Sequence, residues 1–174
     1  MSFYYGITDI TIDDQPINDM SDFNLLVDEK RVDYVINKIN DYGYSGDRVH
    51  GLIFVSRKEE ACKFSEMFNQ RGFHTCALTG EASEKQRQEA MDSLESTKVN
   101  QVVMLRPTQS SIIFIQQLGR GLRKNDEKDY VVVIDFIGNY EKNFFIPIAL
   151  SGNTNFNKDN LRRFVSEGNL IIPG

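Results

Sequence analysis

Four short apolar runs, separated by amphipathic stretches, constrain the fold of this chain more than any other feature. Gly51–Val55 is continuous, and Phe73–Leu78, Val99–Leu105 and Tyr130–Phe136 carry a few polar residues among the apolar ones. Continuous apolar runs of this length suit strands buried on both faces, and such strands belong to parallel sheets covered by helices. The stretches between them carry apolar residues at spacings of three and four, the helical period. Alternation of the two patterns predicts an α/β domain built on a parallel sheet.

The helix boundaries are written locally. Ser56 followed by Glu59 reads as a capping box, with Ala61, Phe64 and Phe68 on one helix face and Gly72 as the stop. Ser83 with Gln86 is a second capping box, ahead of a charged helix that buries only Ala90, Met91 and Leu94. Upstream, Asp28–Tyr42 is an amphipathic helix with Val32, Val35, Ile36 and Ile39 on one side and Gly43 after it. Residues 3–12 read as extended, 44–50 as a polar loop, 108–124 as a helix, 151–160 as a loop and 159–167 as a short helix.

Composition narrows the class. The chain has 174 residues, and its 20 basic and 25 acidic residues leave a net charge of −5. A domain that holds nucleic acid unaided usually has a basic footprint, so any such contact here is local or shared. Phe144–Leu150 is too short to cross a bilayer. The first residues lack the pattern of a secretory signal, so a cytoplasmic location and no membrane partner are expected. Cys62, Cys76, His50 and His74 show no metal-ligand spacing, and the two cysteines read as buried, reduced thiols.

The segment with the most chemistry is Phe114-Ile-Gln-Gln-Leu-Gly-Arg-Gly-Leu-Arg123. At helical spacing, Gln116, Arg120 and Arg123 fall within about 60° of one another. Ile115, Leu118 and Leu122 form a separate face that can dock on a sheet. Gly119 and Gly121 each cost about 1 kcal/mol inside a helix, and close approach of a phosphate or another backbone would explain them. Two planar guanidiniums on one turn suit a phosphate. They equally suit solvated charge near a helix C-terminus.

Gln116-x-x-Gly119-Arg120-x-x-Arg123 resembles motif VI of superfamily 2 helicases and translocases. Gly51–Ala61 resembles motif IV with its helix, and Leu78-Thr79-Gly80 resembles the loop that lines the nucleic-acid track. Val102–Thr108 resembles the strand and turn leading to motif VI, and Val133–Asn139 the strand after it in DEAD/DEAH-box relatives. The resemblance implies a RecA-like fold, the C-terminal of two motor lobes. It implies that Arg120 and Arg123 reach the γ-phosphate of ATP, that Gln116 senses the nucleotide with Gly119 allowing close approach, and that ATP and Mg2+ are held mainly by the first lobe. Ser56, Arg57, Thr79 and Gly80 are the implied contacts to DNA or RNA, although surface charge alone accounts for Arg57-Lys58 and an N-cap role for Ser56.

On this reading residues 1–46 lead in from the first lobe, 47–150 are the RecA-like domain and 151–174 begin a following region, both ends reading as cuts in a longer protein. The chain departs from the family twice. It has no phosphate-binding loop of the G-x-x-x-x-G-K-[ST] type and no Asp-Glu box, so alone it should not hydrolyse ATP. It also passes from Ser93–Lys98 directly to a strand, where the family has a further strand and motif V, and that loss should leave a gap in the sheet. The alternative function is a nucleic-acid- or protein-binding module that kept the fold without the motor. Arg162-Arg163 read as surface charge, Phe144-Phe145 as packing, and Asp135 as a buried acid needing a partner, with the basic residues of 116–123 as candidates.

Overall fold

The computed structural model describes residues 2–18, 21–96, 99–106, 130–136 and 170–173. Its elements, in chain order, are β1 (Ser2–Ile7), β2 (Thr11–Ile12), β3 (Gln15–Pro16), α1 (Phe23–Leu26), α2 (Glu29–Tyr42), β4 (Gly51–Phe54), α3 (Lys58–Gln70), α4 (Glu84–Ser96), β5 (Gln101–Met104), β6 (Tyr130–Asp135) and β7 (Leu170–Pro173). The main sheet runs β4-β5-β6-β1-β7. The first four are parallel and β7 is antiparallel to β1. This is the α/β arrangement expected from the alternating runs.

β5 and β6 are buried along nearly their whole length, as largely apolar strands should be. β4 departs from expectation. It is half-exposed and stands at the sheet edge. The gap expected from the shortened connection is absent: Leu52 pairs with Val102 and Val102 with Val133, so β4, β5 and β6 are contiguous. The front segment contributes a strand to the same sheet. β1 hydrogen-bonds to β6 in the same sheet, with Ser2 opposite Tyr130 and Ile7 opposite Asp135.

The run Phe73–Leu78 forms no strand. The reason lies in Asn69, near the end of α3. Its Oδ1 accepts from the Thr75 amide at 2.7 Å and its Nδ2 donates to the Thr75 carbonyl at 3.1 Å. One carboxamide thus occupies both backbone groups that a neighbouring strand would have taken. Thr75 Oγ1 adds a bond to the Ser65 carbonyl at 3.1 Å. α3 itself ends as expected at Gly72, whose φ of +86° suits glycine. The Gly72 amide bonds to the Asn69 carbonyl and the Phe73 amide to the Phe68 carbonyl, both at 3.1 Å, a Schellman motif with Phe73 packed on Phe68.

The core joins α2 and α3 to one face of the sheet. Val32, Val35, Ile39, Phe64 and Phe68 meet Val103, Leu105, Val132 and Ile134. α2 starts with the Asp28 carboxylate accepting from the Lys30 amide at 2.8 Å. It ends at Gly43, and Gln101 Nε2 donates to the Ile39 and Gly43 carbonyls at 3.0 Å each, serving the orphan carbonyls of a helix C-terminus. Its neighbour Asn100 clamps the 44–50 loop: Oδ1 accepts from the His50 amide at 2.8 Å, and Nδ2 donates to the carbonyls of Ser45 at 2.6 Å and Arg48 at 2.8 Å. Asn100→Ala is expected to cost about 2 kcal/mol by stranding these groups. Urea unfolding measures it, and a loss below about 0.5 kcal/mol would show that water replaces the carboxamide freely. In the same loop, partial burial and then the Arg48 charge hold His50 below the usual histidine range.

Both cysteines are exposed, against expectation. Cys62 falls on the outer side of α3, and Cys76 alternates out from the inward-facing Thr75 and Ala77. No helix among the described residues is long and apolar enough to cross a membrane.

Candidate functional site

In a parallel sheet, ligands gather beyond the carboxyl ends of the strands. β4, β5 and β6 point the same way, so the segments leaving them share one end of the sheet. Ser56 and Arg57 follow β4 and Arg106 follows β5. Asp135 is fully buried at the end of β6.

Only the return half of a capping box forms at α3, one residue later than the sequence predicts, since an arginine at the N-cap has no acceptor to offer the N3 amide. Arg57 occupies the N-cap position and Glu60, not Glu59, reaches back. Glu60 Oε2 accepts from the amides of Ser56 at 3.0 Å and Arg57 at 3.3 Å. Ser56 therefore sits just outside the helix with its amide held, and the side chains of Ser56 and Arg57 are exposed. The second box, at α4, matches the sequence in full: the Ser83 amide donates to Gln86 Oε1 at 2.9 Å, and the Gln86 amide to Ser83 Oγ at 3.2 Å.

The other predicted pair, Thr79 and Gly80, lies in the loop before α4. Lys58 Nζ meets Glu81 Oε1 at 2.7 Å, which brings this loop against the start of α3. Arg87 shapes the loop from α4, donating to the Gly80 carbonyl at 2.8 Å and the Ala82 carbonyl at 3.1 Å. The structure thus brings Ser56, Arg57, Thr79 and Gly80 into one neighbourhood through Lys58, Glu81 and Arg87. Sequence reasoning weighed Lys58, with Arg57, as a phosphate contact or surface charge, and gave Glu81 and Arg87 no role. Lys58 and Glu81 are 52% and 75% exposed, so their bridge is a weak tether.

Behind this surface is a group with no counterpart in the sequence reading. Arg31 of α2 and Glu60 of α3 are 1% and 0% exposed and meet at 2.6 Å. Arg31 Nη1 also donates to the Leu26 carbonyl at 2.5 Å, and the guanidinium lies 5.1 Å over the Phe64 ring.

Gln116, Gly119, Arg120 and Arg123 lie outside the described residues, as do the expected helices over 108–124 and 159–167, Phe144-Phe145, Arg162-Arg163 and the basic partner expected for Asp135. Residues 107–129, which contain the Gln116–Arg123 pattern, connect the parallel neighbours β5 and β6. Arg106, at the start of that connection, has a buried Nε without a hydrogen-bond partner among the described residues. Among the described residues no three His, Cys, Asp or Glu side chains group as metal ligands. An open depression of about 370 Å³, lined by Asn69, Phe73, His74, Thr75 and Cys76, includes none of the predicted residues.

No family model matches the chain. It is 25% identical over 105 residues to IRC3 of Saccharomyces cerevisiae, which bears the name of an ATP-dependent helicase. That match takes in 50% of this chain and 15% of the yeast protein. Among solved structures it is similar to a chain in the crystal structure of the E. coli DEAD-box protein SrmB bound to the regulator of ribonuclease activity A. There the TM-score is 0.50 at 12% identity, covering 80% of this chain and 79% of that one. The chain has a mixed α/β, RecA-like fold similar to that of a DEAD-box protein, and part of its sequence is similar to a helicase.

Proposed function

We propose that this chain is the second motor lobe of an ATP-dependent DNA or RNA helicase or translocase. ATP and Mg2+ are held mainly by the first RecA-like lobe, which is the principal partner. Arg120 and Arg123 reach across to the γ-phosphate and steady charge as the bond to it breaks. Gln116 senses the nucleotide and Gly119 permits close approach. Ser56, Arg57, Thr79 and Gly80 face the nucleic-acid strand at the carboxyl end of the sheet, and closure on ATP followed by opening after hydrolysis moves the lobes along it.

One observation carries the proposal. The Gln116-x-x-Gly119-Arg120-x-x-Arg123 pattern lies in the connection between two adjacent parallel strands of a helicase-like sheet, the order in which motif VI lies in the resembled family. The exposed placement of Ser56 and Arg57 beside the 79–81 loop supports the nucleic-acid half of the reading.

The test is phosphate release from ATP. The chain alone is expected to release none above buffer. With a first lobe carrying a phosphate-binding loop and an Asp-Glu box, in one polypeptide, turnover stimulated by nucleic acid is expected. Hydrolysis by the pure chain, or turnover by the first lobe that this chain does not raise, overturns the proposal.

A further inference from the structure

A fully buried ion pair needs a reason beyond stability. Desolvating two charges costs about as much as their attraction returns, and an apolar pair of similar volume is often at least as stable. α2 and α3 already share apolar contacts through Val32, Val35, Phe64 and Phe68. Arg31 and Glu60 nonetheless sit in that interface, 1% and 0% exposed, and Arg31 Nε is buried with no hydrogen-bond partner among the described residues.

What the pair supplies that apolar residues could not is a fixed charged acceptor. Arg31 holds Glu60 Oε1 at 2.6 Å. That leaves Oε2 turned to the amides of Ser56 and Arg57, at 3.0 and 3.3 Å. The acceptor therefore sets the backbone of the segment leaving β4, and with it the direction in which two exposed side chains project. A glutamate without its arginine would be an unpaired buried charge, and would take up a proton or leave the site. Either change frees the segment.

We infer that Arg31, on a different helix from the surface it serves, is a positioning residue for nucleic-acid binding, acting through Glu60 on the backbone of Ser56 and Arg57. This rests on the reading of that segment as a strand contact.

The experiment uses the 174-residue chain, a fluorescently labelled single-stranded oligonucleotide at low salt, urea unfolding, and amide hydrogen exchange at Ser56 and Arg57. The double variant Arg31→Met, Glu60→Leu replaces the ion pair by apolar side chains. It is expected to unfold near the wild-type urea midpoint, because nothing charged is left buried. Its Ser56 and Arg57 amides are expected to exchange at least about tenfold faster, and its oligonucleotide affinity to fall about tenfold. Arg31→Lys, which keeps a charge beside Glu60, is expected to bind within about twofold of wild type. Glu60→Gln, closer in shape, covers the case in which the double variant does not fold, with a smaller loss in the same direction.

A stable double variant, or a folded Glu60→Gln, that binds as wild type does overturns the inference. Arg57→Ala separates the two levels. If it weakens binding while the ion-pair variants do not, the strand contact stands and the positioning role falls. If Arg57→Ala binds unchanged, or the wild-type chain shows no binding, the strand-contact reading has failed and the inference goes with it.

Discussion

Arg123→Ala, made in an enzyme carrying both lobes, is expected to lower ATP turnover by about 10³–10⁵-fold, the range set by removal of an arginine finger. The size follows from timing. A guanidinium aimed at the γ-phosphate meets more negative charge in the transition state than in bound ATP, so its loss falls on kcat rather than on nucleotide affinity. Arg123→Lys restores a point charge without the planar fork, so partial recovery at best is expected. Steady-state phosphate release at saturating ATP and nucleic acid checks this. Thermal unfolding of the variant chain should match the wild type, since on this reading the side chain faces another lobe. Unchanged turnover would remove Arg123 from the active site.

The largest expected loss of stability from a single truncation is Phe68→Ala, at about 3–5 kcal/mol. The ring is 2% exposed. It lies 6.0 Å from the Phe64 ring and 5.2 Å from the Phe73 ring, centroid to centroid. It is also the last-turn residue of α3 on which the Schellman turn closes, so the truncation opens a cavity and loosens the entry to the 73–79 segment together. Urea unfolding at constant slope gives the value. Cys62→Ser, on the exposed side of the same helix, is the control and is expected to stay within about 0.5 kcal/mol. A loss below about 1 kcal/mol for Phe68→Ala would show that the site refills easily.

Local signals in the sequence carried much of the fold. Gly43 and Gly72 stop their helices, Asp28 and the Ser83–Gln86 pair start theirs, and the runs Val99–Leu105 and Tyr130–Phe136 contain the buried strands β5 and β6. These features are readable because each rests on contacts within a few residues. Most of the failures involve partners farther away. Phe73–Leu78 has the composition of a strand, but Asn69 takes the backbone groups of Thr75. Glu60 outcompetes Glu59 because Arg31, on another helix, holds it. Arg31 did carry a signal, since it shares a helix face with Val35 and Ile39 at four-residue steps, a place where a charge demands a buried partner. β1 gave only an extended pattern, because nothing in Ser2–Ile7 names Tyr130–Asp135 as its neighbour. At the candidate site, Ser56, Arg57, Thr79 and Gly80 were legible through the resemblance alone. The Lys58–Glu81 bridge that joins their two segments had no sequence signal, the two residues being far apart in the chain.

The place of β1 carries a consequence for how the chain is made. This strand is made well before its partners, which are β6, reached only at Tyr130, and β7, where Ser2 faces Pro173. Until those residues leave the ribosome, the interior position of the sheet stays vacant and β1 has nothing to join. Closing such long loops before any reward is slow, so β1 should stay unpaired until Tyr130–Asp135 has been made.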